Sequence, residues 1–221
     1  MSAVVGKSTH DAASGAVSRD VQPGAVDAAS AVRFFDCLAI EPEAWANGAG
    51  STRTVARSAD HSGGTTAWRV SLASLTGAAR FSQFAGLDRI LLPTSDDTVE
   101  LHTQDGQLVA KQGQPARFPG ELQVWLAAPA RPVHVINVMT HRQSHQAGVS
   151  VVSHSARIAP ASVQLFIALT GTWSLNSALL RDVALSPLLG VLLEGRSESL
   201  DLQPHGPGAQ LAVIAIEPIG N

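Results

Sequence analysis

The side chains of this protein that are best suited to binding chemistry are concentrated in one short segment, Trp45–Arg53 (WANGAGSTR). Its amide, hydroxyl and guanidinium groups supply directional hydrogen bonds, and a guanidinium suits a carboxylate or a phosphate. Its glycines allow a positive φ or a close approach of the backbone to another group. A tight turn before a strand has the same residue types, so the segment alone leaves a structural and a ligand-binding interpretation open.

A second candidate, Asn137, lies in the strand-like run Val133–Thr140. Strand alternation puts it on one face with Val133, Val135 and Met139, so the amide belongs to an apolar face. A buried amide needs hydrogen-bond partners. Asn137 is therefore either a satisfied core group that fixes its surroundings or a group that points into a barrel interior and holds a ligand.

The composition restricts the classes of protein to consider. The chain has 221 residues, of which 45% are hydrophobic and 15% charged, a globular balance with ample material for a core. A net charge of −3 argues against nucleic-acid binding. No apolar run approaches the roughly 18–20 residues of a membrane-spanning helix, so we expect no membrane partner. Thirteen of the 15 basic residues are arginine, which weakens any inference from a single arginine.

The order of patterns along the chain predicts an all-β protein. Residues 1–30 lack periodicity and large aromatic side chains, so we predict a disordered tail and a fold that begins near Ala31. Short strands separated by turn signals follow, and helices are expected to be few and short. Trp68–Ala73 alternates strictly, and the lone Cys37 has apolar neighbours that favour burial. About a dozen strands in two halves predict two fused β-barrels or jelly rolls.

Five short motifs occur in a fixed order along the chain: Trp45-x-Asn47-Gly48-x-Gly50-x-Thr52-Arg53, Trp68-Arg69-Val70-Ser71, Phe81-Ser82-x-Phe84-x-Gly86-x-Asp88-Arg89, Phe118-Pro119-Gly120 and Asn137-Val138-Met139-Thr140-x-Arg142. Together they resemble the HutD/Ves family of small bacterial proteins associated with histidine utilisation. The resemblance covers roughly residues 34–142. It implies a bicupin-like double barrel of the RmlC-like jelly-roll type, a cytoplasmic location and a role as a regulatory sensor of a pathway intermediate.

This resemblance and the residue chemistry lead to one set of expectations. The first cupin-like barrel spans 31–142 and carries the motifs, the second spans 143–221, and strands are free to exchange between them. A pocket in the first half is expected to bind a small carboxylate such as urocanate or formylglutamate, because charge-assisted pairs stay strong when desolvated. The predicted ligand-binding residues are Trp45, Asn47, Thr52, Arg53, Arg69, Arg89, Asn137, Met139 and Arg142.

The main alternative is a cupin-type enzyme, either a metal-dependent dioxygenase or an isomerase, that acts on a small acid. A cupin metal site typically has two histidines and a carboxylate close together on one strand, and none of the eight histidines shows that spacing. His141 and His145 have helical spacing, but they fall in His141–Gly148, which we predict to be a loop between the halves. We therefore predict no metal and no cofactor and assign no catalytic residue. A structural role and a homodimer are left open.

Overall fold

The computed structural model describes residues 32–58, 66–195 and 198–220. Within these ranges β-strands are the only regular secondary structure, and turns and loops connect them. The all-β prediction is confirmed, although none of the expected short helices occurs in the described ranges. The predicted tail at residues 1–30 lies outside the described residues. No described residue belongs to a helix that is long and apolar enough to cross a membrane.

The strands, in chain order, are β1 (Val32–Asp36), β2 (Glu43–Ala44), β3 (Gly50–Arg57), β4 (Trp68–Leu75), β5 (Ala79–Arg80), β6 (Leu87–Pro93), β7 (Val99–Thr103), β8 (Gly106–Ala110), β9 (Ala116–Pro119), β10 (Trp125–Leu126), β11 (Val133–His141), β12 (His145–Val152), β13 (Ala156–Ile158), β14 (Val163–Asn176), β15 (Val183–Leu185), β16 (Leu189–Glu194) and β17 (Leu200–Pro218). They form three sheets. A six-stranded sheet has the order β2-β3-β4-β11-β6-β9, a four-stranded sheet has the order β5-β10-β7-β8, and a seven-stranded sheet is built around β1-β16-β14-β17-β12.

The six-stranded sheet lies between two apolar cores, because its central strands are buried on both faces. On β4, Trp68, Val70 and Leu72 belong to a core shared with the seven-stranded sheet, as the alternation predicts. Ala73 and Leu75 point the other way, into a core shared with the four-stranded sheet. The chain therefore stacks three layers, and the middle sheet supplies side chains to both interfaces.

The seven-stranded sheet also packs on itself. Its two longest strands, β14 and β17, pair along most of their length, with register shifts near Gly171 that change the course of β14. Residues such as Phe166, Trp173 and Leu211 form a third core on the face that is turned away from the six-stranded sheet. This part of the chain thus has a hydrophobic interior of its own.

One expectation about the architecture is not confirmed and another is wrong. The sheets have open strand orders and do not close into barrels, so two fused barrels are not confirmed. The seven-stranded sheet contains strands from both halves of the sequence, because β1, from the start of the fold, pairs with β16 near its end. The predicted loop at His141–Gly148 is wrong, because β11 runs through His141 and β12 begins at His145 and pairs with β17. The domain boundary at residue 142 stays a prediction.

Cys37 follows β1 and is fully buried. Burial is the main cause that raises the pKa of its thiol to about 12, and the negative charge of Asp36 adds to the effect. The thiol is therefore protonated at neutral pH and behaves as a small apolar side chain, as its neighbours in the sequence predict.

The packing of β1 on β16 gives a test of this architecture. A Cβ at Gly190 would overlap the ring of Phe35 and the carbonyl oxygen of Phe166. We expect Gly190→Ala to lower the free energy of unfolding by about 1–3 kcal/mol, as overpacking does. Gly148→Ala is the matched control, since a Cβ on that exposed strand residue would meet no heavy atom within 4 Å. Urea denaturation of both variants checks this, and equal stabilities would contradict the described pairing.

Candidate ligand-binding site

A cavity of about 310 Å³ opens on the face of the six-stranded sheet that is turned toward the four-stranded sheet. Its lining side chains come from β3, β4, β6 and β11, from the segment before β3 and from the segment around β5: Trp45, Ala46, Asn47, Thr52, Arg69, Ala73, Leu75, Arg80, Phe81, Ser82, Phe84, Arg89, Leu91, Val135, Asn137 and Met139. The volume is at the low end of the range for small-molecule pockets.

The segment Trp45–Arg53 forms one wall of this cavity as a hairpin turn between β2 and β3. The amide N–H of Trp45 donates to the carbonyl of Gly50 (2.9 Å), and the Asn47 Oδ1 accepts from the amide N–H of Ala49 (3.0 Å). Trp45 Nε1 donates to Thr52 Oγ1 (2.8 Å), which fixes the indole against the strand. A Cβ at Gly50 would overlap the carbonyl oxygen of Ser74, so this close approach requires glycine.

Arg89, on β6, is the most unusual residue of the cavity, because only 7% of it is exposed. Its guanidinium lies over three aromatic rings, at 5.1 Å from Phe81, 5.6 Å from Phe84 and 5.1 Å from Phe118. Such cation–π contacts contribute about 0.5–2 kcal/mol each. The rings therefore hold the cation in place from the apolar side and leave its hydrogen-bonding edge to other groups.

The hydrogen bonds of Arg89 are long for a charged donor. Nη2 donates to Asn137 Oδ1 at 3.3 Å and Nη1 donates to the carbonyl of Ser82 at 3.4 Å, whereas charge-assisted bonds usually measure about 2.7–2.9 Å. The described residues provide no acceptor for its buried Nε and no carboxylate for its charge. A buried cation without a counter-ion is costly, and an anionic ligand would supply both the charge and the missing acceptors.

Two further arginines line the same cavity. Arg69, on β4, is half-buried, and its Nη2 donates to the sulfur of Met139 at 3.4 Å. Arg80, on β5, is exposed. Burial is the main cause that lowers the pKa of Arg89 to about 10, and the positive charge of Arg69 adds to the effect. Arg89 is still protonated at neutral pH, so the cavity has a positive potential that attracts anions.

Seven of the nine predicted ligand-binding residues line this cavity: Trp45, Asn47, Thr52, Arg69, Arg89, Asn137 and Met139. Strand alternation brings Asn137 and Met139 to it together, as the sequence pattern predicts. Arg53 and Arg142 do not line it, and their expected position is corrected.

Arg53 follows Thr52 on β3, so the two side chains point to opposite faces of the sheet. Thr52 pairs with Ala73 on the cavity side, whereas Arg53 pairs with Leu72, which belongs to the core on the other side. There Arg53 lies near His134. Burial is the main cause that lowers the pKa of His134, and the positive charge of Arg53 lowers it further.

Arg142 lies outside the cavity, where it is exposed and fully paired. Its Nε donates to Asp88 Oδ1 at 2.7 Å, and its terminal nitrogens donate to the two carboxylate oxygens of Glu121 at 2.8 and 3.0 Å. These bonds hold the pKa of Arg142 above its usual range and the pKa of Glu121 below its usual range. Arg142 also donates to the carbonyl of Leu87 (3.0 Å) and so fixes the start of the strand that carries Arg89.

Sequence reasoning missed the aromatic residues around Arg89 and the arginine at position 80. Phe81, Phe84 and Phe118 belong to two of the five motifs, but none of them is among the predicted ligand-binding residues. A signal was present, because aromatic residues close to Asp88-Arg89 can surround a cation. Arg80 is in no motif, and only the three-dimensional structure brings it to the cavity.

The part of the chain that the structure describes contains no group of three or more His, Cys, Asp or Glu side chains that could hold a metal ion. His141 and His145 lie at the end of β11 and the start of β12, on either side of a short turn.

Comparison with known proteins identifies the family of this chain. The HutD family model matches residues 38–212. The chain belongs to the HutD family. The Ves protein of Cronobacter sakazakii is 30% identical over 160 residues, which cover 67% of this chain and 82% of that protein. A 21.2 kDa protein in the hutC 3′ region of Pseudomonas putida is 28% identical over 182 residues, which cover 77% of this chain and 91% of that protein. The resemblance to the HutD/Ves family is therefore confirmed.

Solved structures support the fold of this HutD-family chain. HutD from Pseudomonas fluorescens SBW25 (formate condition) superimposes with a TM-score of 0.74 at 19% identity and covers 86% of this chain and 100% of that one. A cupin 2 conserved barrel domain protein from Leptotrichia buccalis gives a TM-score of 0.51 at 8% identity and covers 75% of this chain and 89% of that one. At these identities the likeness concerns the fold alone, which is cupin-like.

The unpaired charge of Arg89 gives a test that needs no ligand. Because folding lowers the pKa of Arg89, the charged form is disfavoured in the folded protein at every pH below about 10. We expect Arg89→Met, which fills the same space among the rings, to raise the free energy of unfolding by about 1–3 kcal/mol. Arg69→Met, at a half-buried arginine, is the control and should change it less. Loss of stability in Arg89→Met, measured in urea, would mean that the free protein already compensates this charge.

Proposed function

We propose that this HutD-family protein binds a small carboxylate from histidine breakdown, such as urocanate or formylglutamate, and acts in the cytoplasm as a sensor or regulator of that pathway. The observation that carries the proposal is the environment of Arg89. Three rings hold this cation in the cavity, and the described residues provide neither a carboxylate nor an acceptor for its Nε. A carboxylate accepts hydrogen bonds in the planar, paired arrangement that a guanidinium donates.

The other walls of the cavity suit the rest of such a ligand. Leu75, Leu91 and Val135 provide apolar contacts, while Asn47 and Asn137 provide amide groups. A few directed polar groups in a mostly apolar pocket are typical of sites for small molecules. Binding of urocanate would also benefit from the rings of Trp45 and Phe81, whose centroids are 6.2 Å apart in an edge-to-face arrangement.

One relative supports the choice of pathway. The 21.2 kDa protein of Pseudomonas putida comes from the hutC 3′ region, so a histidine-utilisation gene lies beside it.

Substitution of Arg89 tests the ligand class directly. We expect Arg89→Gln to weaken binding of urocanate or formylglutamate, whichever binds the parent protein, by about 10- to 100-fold, since a hydrogen bond to a charged group contributes about 1.5–3 kcal/mol. Isothermal titration calorimetry measures this effect. Arg53→Gln is the matched control, because Arg53 lies on the opposite face of the sheet and should leave the affinity unchanged. Equal affinities of Arg89→Gln and the parent protein would exclude this cavity as the site.

The pH dependence of binding is a second test. The ligand must be ionised, which holds well above a carboxyl pKa of about 4, and Arg89 must be protonated, which holds below its pKa of about 10. The affinity for the carboxylate should therefore be constant from about pH 6 to 8.5 and fall as the pH rises through about 10. Titrations at pH 7, 8, 9, 10 and 10.5 check this, with the melting temperature of the free protein as a control for unfolding. An affinity that stays constant through pH 10.5 would exclude Arg89 as the charged partner.

A further inference from the structure

We propose that the ligand of this cavity carries two separate anionic groups, one held by Arg89 and Arg69 inside the cavity and the other by Arg80 at its mouth. This inference deepens the proposed function, on which it rests, and selects a dicarboxylate from the wider class of small acids. The observations that carry it are the exposure, position and charge balance of these three arginines.

The three arginines differ in depth. Arg89 is 7% exposed, Arg69 is half-buried and Arg80 is exposed, although all three line the one cavity. Arg80 also borders a shallow surface recess that is formed with Ala78, Ala79, Trp125 and Leu126. A residue that is exposed and borders both the cavity and a neighbouring surface lies at the cavity mouth. The positive charges therefore extend from the interior to the opening.

No carboxylate of the described residues balances these charges. The cavity lining includes no Asp and no Glu, and none of the three arginines forms an ion pair within the described ranges. Of the other eight described arginines, Arg131, Arg142 and Arg157 each pair with a carboxylate and the remaining five do not. The chain as a whole has a net charge of −3, whereas the cavity lining has three cationic side chains and no anionic one.

A ligand with one carboxylate would leave part of this charge unbalanced. Arg69 and Arg89 are both register partners of Met139, one on each strand beside β11, and both line the cavity, so one anionic group can serve both. Arg80 is on β5, in the opposite sheet, and needs a second group at the other end of the ligand. Leu75 and Leu91 lie in the same lining and can contact a short hydrocarbon chain between the two ends.

The test compares glutarate with glutaramate, its monoamide, which has the same length and one charge fewer. Both are titrated calorimetrically into the full-length parent protein and the Arg80→Gln and Arg80→Lys variants. We expect the parent protein to bind glutarate about fivefold more tightly than glutaramate: the two equivalent carboxylates of glutarate give a statistical factor of about two, and an exposed charge pair supplies the rest. Arg80→Gln should reduce this preference to about twofold, and Arg80→Lys should keep most of it. The preference should also decrease in 0.5 M NaCl, because a pair at the mouth is screened.

Two results would overturn the inference. A preference of the parent protein for glutarate of no more than about twofold, the statistical effect of its two equivalent carboxylates, would show that only one anionic group is recognised, while binding of a carboxylate, the proposed function, would stand. A preference for glutarate that persists in Arg80→Gln would assign the second charge to another residue. If the protein binds neither glutarate nor glutaramate, and also binds neither urocanate nor formylglutamate, both the proposed function and this inference are wrong. Arg80 is exposed, so its variants are expected to fold, and their melting temperatures verify this.

Discussion

The candidate site depends on one interaction, the contact of the Arg89 guanidinium with the rings of Phe81, Phe84 and Phe118. A charged side chain that is almost completely buried normally requires an ion pair, and the described residues provide none for Arg89. The rings replace part of the lost hydration. Its polar edge remains turned toward a cavity, where two long hydrogen bonds leave capacity for a stronger acceptor.

The rest of the fold keeps this arrangement in place. The amide N–H of Phe84 donates to the carbonyl of Gly120 (2.8 Å), and the amide N–H of Gly120 donates to the carbonyl of Leu87 (2.7 Å). These bonds join the segment before β6 to the end of β9, so the rings and the strand of Arg89 are fixed relative to one another. The ion pairs of Arg142 reinforce the same junction from the outside. Arg142 thus has a structural role that is consistent with its place in the family motif.

Strand alternation made much of the site predictable. It put Asn137 and Met139 on one face of β11, and the structure has both in the cavity. The same rule puts Thr52 and Arg53 on opposite faces, but the glycines of the segment obscure where β3 begins, so the sequence alone leaves both residues as candidates. Arg80 could not be predicted, since it reaches the cavity only through the packing of two sheets. The pairing of β1 with β16 was equally inaccessible, because nothing local specifies a partner about 150 residues away.

The central sheet explains why such a polar cavity can exist within a three-layer fold. Both of its faces are apolar at one end, but along β4 the face toward the four-stranded sheet changes from Leu75 and Ala73 to Ser71 and Arg69. The other face stays apolar through Trp68 and supports the fold. A sheet that is anchored by one complete face can keep uncompensated charge on the other, where the proposed function uses that charge to bind an anion. This division of roles accounts for a buried arginine without a counter-ion in an otherwise well-packed protein.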